Sequence, residues 1–371
     1  MEKKPVVIDL FAGAGGLSLG AAYAGFRVAA AVELDAQAMH THNRNFPNSI
    51  HAAMDVSAMT GKELLELAKL QPGQLDGLIG GPPCQGFSSM GKRDADDARN
   101  SLFGHFFRLV NECRPRFFVA ENVPGIMDSK FDSIRKEAFS KVEEHYEILK
   151  PLMVKANEYG APTIRTRYFF IGYDKARFVN PPVLEDFFPA KDTQIITVEK
   201  ALAALPIDID SLWQKEEDGW KKIDKKKKNS YVKMLTDEIP EGVGDVATIN
   251  RLVKKGEVSG CLGTRHLLEV VARFDALGPG KSDRISKSPR LDPKGFCPTL
   301  RAGTGKEKGS FQAVRPIHPS APRVITPREA ARLQGFPDWF IFHATKWHSF
   351  RQIGNSVSPI VAKKILLVLN R

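Results

Sequence analysis

Cys84 has the type and setting of a nucleophile. It stands in Gly80-Gly81-Pro82-Pro83-Cys84-Gln85-Gly86-Phe87-Ser88, directly after the apolar run Leu75-Asp76-Gly77-Leu78-Ile79. Two prolines fix φ and remove two backbone donors, so the thiol is held on a stiff arm, while Gly86 and Gly91 permit a mobile lid beyond it. A cysteine in a turn is ordinarily a small buried hydrophobe; the rigid base and the polar loop favour a reactive thiol instead. Glu121 ends another apolar run, Arg116-Phe117-Phe118-Val119-Ala120, and an acid sharing a sheet edge with a thiol is a candidate proton donor. Arg165 and Arg167 alternate along Thr163 to Gly172 and therefore share one strand face. Two guanidiniums there suit an anionic or carbonyl-rich target, the plainer reading being a surface pair.

A second group of residues has the character of a nucleotide site. Pro5-Val6-Val7-Ile8-Asp9-Leu10 reads as a buried strand running into Phe11-Ala12-Gly13-Ala14-Gly15-Gly16, with a helix from about Leu17 to Ala24. Glycines let a backbone approach a ligand, and a helix N-terminus offers unpaired N–H groups. Glu33 follows the run Val28 to Val32, roughly twenty residues past the glycines, where an acid can hold ribose hydroxyls. Asp55 follows Ile50 to Met54 and is a candidate for an amino group of the base at the same sheet edge.

These residues need a scaffold that brings strand ends together, and the alternation of apolar runs with amphipathic stretches predicts an α/β fold with a doubly wound, mostly parallel sheet. Thr60-Gly61-Lys62-Glu63 is a capping box opening a helix to about Leu70. Asn100 or Ser101 can cap a helix through Val110, and a further helix is expected from about Asp132 to His145. From about Tyr173 the alternation lapses into a basic, irregular region in which Lys221 to Lys228 reads as a solvated loop in preference to a phosphate track. Thr326-Pro327-Arg328-Glu329 opens a short helix stopped by Gly335, and the chain ends in an apolar helix after Pro359 that needs a core to bury against. The expected division is a catalytic domain over 1–172, completed by about 346–371, and a smaller irregular domain over 173–345.

With 54 Lys and Arg against 43 Asp and Glu, the net charge is +11, which favours a polyanionic partner, nucleic acid foremost. No apolar run approaches the ~18 residues of a spanning helix. The four cysteines are widely spaced and form no Cys-x-x-Cys, so no metal site is expected, and a reducing, cytoplasmic setting suits a free thiol.

The blocks Asp9-Leu10-Phe11-Ala12-Gly13-Ala14-Gly15-Gly16, Gly81-Pro82-Pro83-Cys84-Gln85, Glu121-Asn122-Val123, Arg165-Thr166-Arg167, Thr326 to Pro337 and Gln352-Ile353-Gly354-Asn355-Ser356-Val357 occur in one order. In that order the chain resembles the cytosine-C5 DNA methyltransferases, essentially from end to end. The resemblance implies the class I methyltransferase fold, with S-adenosyl-L-methionine bound by Phe11, Gly13, Gly15, Gly16, Leu17, Glu33, Asp55, Asn355, Ser356 and Val357. It further implies Cys84 as the nucleophile, Glu121 at the N3 edge of cytosine, Arg165 and Arg167 orienting the base, and Thr299-Leu300 supporting a flipped nucleotide. Members of the family often carry Gln where this chain has Thr163. Double-stranded DNA is the implied substrate, read by the region from about Tyr173 to Ser320. A monomer is expected, compatible with functional pairing with a restriction endonuclease or other defence system. The nearest rival is a tRNA cytosine-C5 methyltransferase, disfavoured because Cys297 is followed by Pro298-Thr299 and lacks the Cys-Phe-Thr signature of those relatives. An NAD-dependent oxidoreductase would account for the glycine turn and Glu33 while leaving Cys84, Glu121 and Asn355 unused.

Overall fold

The computed structural model describes residues 4–83, 101–217, 219–303 and 314–371. Cys84, the Gln85 to Arg99 stretch expected to form a lid, and the Asn100 cap lie outside the described residues. Strands β1 (Val6–Leu10), β2 (Arg27–Val32), β3 (Ile50–Ala52), β4 (Gly77–Gly80) and β5 (Phe117–Asn122) run parallel in the order β3-β2-β1-β4-β5. Antiparallel β8 (Thr166–Asp174) continues the sheet beyond β5, and β6 (Tyr146–Ile148) and β7 (Leu152–Lys155) both pair with it. Strand order reverses between β1 and β4, and the crevice beyond the carboxyl ends of such a pair is where open α/β sheets hold ligands.

Every residue of β1, β4 and β5 is buried, which is why these strands read as unbroken apolar runs. Alternate residues feed two cores. Ile8, Leu78 and Phe118 face α3 (Gly61–Leu67), α4 (Ser101–Cys113) and α5 (Asp132–Ser140), while Val7, Ile79 and Val119 face α1 (Gly16–Tyr23) and α12 (Pro359–Leu369). The C-terminal helix thus returns to the first one. A Cβ on Gly20 would collide with that of Ala362, so the two backbones approach as only glycine allows. Helix α5 ends at Ser140, short of His145, because Tyr146 leaves it to enter β6. The β6 and β7 strands are three and four residues long, too short to declare themselves by alternation.

Beyond Tyr173 the chain is more regular than its composition suggests. It forms α6 (Val198–Leu202), α7 (Ser230–Asp237), α8 (Val246–Lys255), α9 (Leu268–Asp275) and a ribbon of β9 (Lys221–Lys222) with β10 (Glu257–Val258). The lysine run is part of this framework and not a free loop. Asp224 accepts from the Lys226 amide, Lys221 lies 3.3 Å from the centroid of the Trp213 ring, and Lys228 reaches Thr236 and Asp237. The apolar sides of α6 and α7 close a third core with α10 (Pro327–Gln334), with Phe350 and Ile353 of α11 (Lys346–Asn355), and with Ala14, Leu19 and Phe46 from the first layer. That core takes side chains from both sides of residue 345.

All eight residues of α10 are buried, among them Arg328, Glu329, Arg332 and Gln334. The expected capping box is present: Thr326 accepts from the Glu329 amide at 3.2 Å, and Glu329 accepts from the Thr326 amide at 2.7 Å. Gly335 ends the helix at φ +89°. Among the described residues no helix is long and apolar enough to cross a membrane.

Candidate active site

A cavity of about 1060 Å³ opens at the carboxyl ends of β1, β2, β4 and β5. One end is built by the turn after β1. Phe11 is forced to φ +56°, and Gly13 and Gly15 take φ +55° and +104°, which folds the chain back on itself before α1 begins. Glu33, leaving β2, fixes this turn with both oxygens, one accepting from the Gly13 amide at 2.9 Å and the other from the Asp35 amide at 2.8 Å. Burial raises its carboxyl above the ordinary range, against the hydrogen bonds from the Asp35, Gly13 and Leu34 amides. A carboxylate has about four acceptor positions, so room remains for a donor on a ligand. Asp55 also lines the cavity, and one of its oxygens accepts from the Ser57 amide. Gly16 and Leu17, the first residues of α1, form the floor. Sequence reasoning passed over Leu34 and Met54, which line the cavity beside the two acids and are 69% and 47% exposed. An apolar side chain adjacent to a strand-end acid was the available signal.

The other end is built by β4, β5 and β8. Gly80 pairs with Ala120, which sets Gly81 beside Glu121; a Cβ on Gly81 would stand 3.3 Å from Glu121 Oε2. Asn122 Nδ2 donates to the Pro82 carbonyl at 3.4 Å. The arm that carries residue 84 is therefore tied to the strand that carries the acid. Arg167 Nε lies 2.8 Å from Glu121 Oε1, an ion pair without hydrogen-bond alignment, and Arg167 Nη1 donates to the Thr166 carbonyl. Glu121 is 8% exposed, so its charge is compensated by that guanidinium in a largely dry setting.

Arg165 is buried, and its guanidinium donates to the carbonyls of Gly354 at 2.9 Å, Leu300 at 3.3 Å and Asn355 at 3.4 Å. It thereby fastens two distant segments to the cavity wall. Thr163 is also buried and bridges to Cys297, with the Ile164 amide on the Cys297 carbonyl at 3.0 Å, which brings Thr299 and Leu300 to the cavity. Gly354 lies so close to the Arg301–Ala302 backbone that a Cβ would stand 2.7 Å from it. Asn355 is exposed at the cavity, while the Ser356 hydroxyl is turned back onto the Gln352 carbonyl at 2.7 Å. The Ser356 carbonyl accepts from buried Gln334 at 2.8 Å, and a Cβ on Gly16 would collide with the Val357 carbonyl. The C-terminal segment and the glycine turn are thus one surface.

The three described cysteines do not compete as nucleophiles. Cys113, Cys261 and Cys297 are buried, and burial pushes the first two thiols up to about 12 and the third higher still. What the cavity can hold is an elongated ligand with a nucleoside-like end at Phe11, Glu33 and Asp55 and a planar polar group at Glu121 and Arg167.

The family model for the C-5 cytosine-specific DNA methylases matches residues 6–371. Type II methyltransferase M.XorII of Xanthomonas oryzae pv. oryzae is 40% identical over 366 residues, covering 98% of this chain and 84% of its own. M.DdeI of Desulfomicrobium norvegicum is 32% identical, covering 97% and 87%. An E. coli prophage-encoded protein assigned as a DNA modification methyltransferase superposes with a TM-score of 0.88 at 53% identity, covering 98% of each chain. The S. pombe Dnmt2 methyltransferase, at 16% identity and a TM-score of 0.64 over 99% of this chain and 98% of its own, shares the fold.

Proposed function

The chain belongs to the C-5 cytosine-specific DNA methylase family, and from that premise we propose how its own residues carry out the reaction. It is a DNA (cytosine-5-)-methyltransferase that uses S-adenosyl-L-methionine. The cofactor supplies an electrophilic methyl group on a sulfonium centre. Residues to hold it are Phe11 and Asp55 for the adenine, Glu33 for the ribose, and the Gly13 to Leu17 turn with Asn355 to Val357 for the remainder. The fit is supported by the room at the turn, since nothing lies within 4 Å of a Cβ on Gly13, and by the Glu33 carboxyl held there at the cavity.

Cytosine C5 is a weak nucleophile, so a group must add at C6 to drive electron density onto it. Cys84, which follows the Pro82-Pro83 arm in the sequence, is that group. Glu121 is the acid of this step: its carboxyl, protonated in the complex, bonds N3 and passes the proton to it as electron density builds there, so that no ring anion has to persist; Arg167 holds that carboxyl, and Arg165 keeps the wall around the base in place. After transfer, a base takes the C5 proton, the C5–H electrons re-form the C5=C6 double bond and expel Cys84 as its thiolate, and N3 returns its proton to Glu121, leaving 5-methylcytosine. None of these atoms is reachable in a stacked duplex, so the cytosine is flipped into the cavity, at a cost of a few kcal/mol.

The residues 173–345 are the DNA-reading part of this scheme, the protein acts as a cytoplasmic monomer, and a restriction endonuclease or other defence system is its functional counterpart. The observation that carries the assignment is the pairing of the Glu121 carboxylate with Gly81 and Arg167 at the root of the Cys84 arm. Cys84→Ala is expected to remove methyl transfer to duplex DNA while S-adenosyl-L-methionine affinity stays within about twofold of the wild type. Full methylation by that variant would sink the mechanism.

A further inference from the structure

Between Gly280 and Arg290 the chain folds into a hairpin whose tip is locked from inside. The Asp283 amide donates to the Ser288 carbonyl at 2.9 Å, the Arg290 amide to that of Lys281 at 2.8 Å, and the Gly280 amide to that of Arg290 at 2.9 Å. Asp283 is 4% exposed and accepts from the amide and hydroxyl of Ser286 and from the Arg273 guanidinium at 2.7 to 3.3 Å. The Arg290 guanidinium clamps the base of the hairpin through the carbonyls of Phe274, Leu277 and Pro319. Lys287 takes φ +59°, a conformation that a non-glycine residue keeps only where its surroundings impose it. Against this rigid frame Arg284, Ile285 and Lys287 stand in solvent, with Ile285 71% exposed.

We propose that this tip is a base-reading element for the DNA substrate, with Arg284 forking onto a guanine and Ile285 meeting a thymine methyl in the major groove. The argument is one of chemistry and placement. An isoleucine has no favourable contact with phosphate, so Ile285, held on this frame between Arg284 and Lys287, suits a partner that offers an apolar group as well as acceptors. Base edges in the major groove offer both the paired acceptors that a guanidinium fits and an apolar methyl. The net charge of +11 brings the polyanion to the surface. The tip is joined to the active site by a short run: Thr299, which lines the cavity, follows Ser288 by eleven residues, a reach of at most about 40 Å. That is the scale of one turn of duplex DNA. Residues 290 and 297 on this run are pinned by bridges to Ile317 and Thr163, so the tip and the cavity wall belong to one frame.

The inference rests on DNA being the substrate, and bisulfite sequencing of a random-sequence duplex library separates the two ideas. Wild-type protein should methylate cytosine in one defined context; no methylated cytosine at all would fail the enzymatic reading. Arg284→Ala is expected to keep methylating cytosine while its preference for guanine at one position of that context falls about 10- to 100-fold. Arg284→Gln, whose amide pairs with adenine in place of guanine, should shift that position towards adenine or lose discrimination there, and it decides the matter if the alanine variant does not fold. An unchanged context, or a fall in activity that is uniform across all contexts, would overturn the assignment and make the tip a phosphate contact or a bystander.

Discussion

Asp9 is fully buried on β1 with Oδ2 on the Ser18 hydroxyl at 2.7 Å, and Ser18 in turn meets His42, whose other ring nitrogen lies 2.9 Å from His51. The chain of contacts links β1, α1, α2 (Ala36–Asn45) and β3 directly behind the glycine turn. It also supplies what the turn lacks: the N-cap of α1 is Gly15, which has no side chain, and the Asp9 carboxylate takes the Ser18 amide and hydroxyl instead. Burial raises Asp9 from 3.8 to about 7, outweighing those hydrogen bonds. Between these two values the folded state holds a proton that the unfolded chain has released, so the Asp9 contribution to stability falls as pH rises from about 4 to about 7 and is level above that. Buried His42 acts in the opposite sense, because burial and His51 hold it neutral while the unfolded chain takes up a proton in acid. Comparing thermal unfolding of Asp9→Asn with wild type across this range isolates the carboxyl. The variant should gain relative to wild type as pH rises to about 7, and a pH-independent difference would count against a protonating Asp9.

Helix α10 shows how an element can be polar in sequence and buried in structure. Arg332 holds Asp338 through two hydrogen bonds of 2.8 and 2.6 Å, both residues fully buried, and its remaining donors reach the Ala201 and Ala203 carbonyls of the α6 region. Arg328 spans Ser259, Pro337 and Phe340, and Arg323 makes two bonds to Glu329. A buried pair of this kind adds little over an apolar pair, but removing one partner strands a charge. Asp338→Ala is therefore expected to cost about 3–5 kcal/mol in denaturant unfolding. The double variant Arg332→Met with Asp338→Ala should recover a large part of that loss. If the double variant were as unstable as the single one, packing and not the stranded guanidinium would be the cause.

For the molecule as a whole, the last helix completes the first layer. Ile365, Leu366 and Leu369 of α12 share a core with Val7 and Ile79 of the central strands, and Val357 closes on Gly16 just before it. Ending the chain at Ser358 removes the α12 side chains from this core, exposing α1 and the strands beneath. The expected result is loss of cooperative unfolding together with loss of S-adenosyl-L-methionine binding, read by far-UV circular dichroism and ligand titration. A truncated chain that kept both would show α12 to be dispensable to the sheet.

What the sequence by itself determined is whatever acts within a few residues or along one apolar run. The buried parallel strands, the capping boxes at Thr60 and Thr326, the glycine turn after β1 and the acids ending β2 and β5 all belong to that class, because their causes are local dihedral preferences and the burial of both strand faces. The order of the motif blocks carried the family as well. Only the tertiary structure decided that Arg165 spends its guanidinium on the carbonyls of residues 300, 354 and 355, since nothing near residue 165 encodes partners that far along the chain. Helices α6 to α8 were hidden for a related reason: they are five to ten residues long, and their stability comes from a core completed by α10, α11 and Phe46. The cavity itself is drawn from residues 11 to 357, and its shape exists only once the C-terminal segment has packed against the glycine turn.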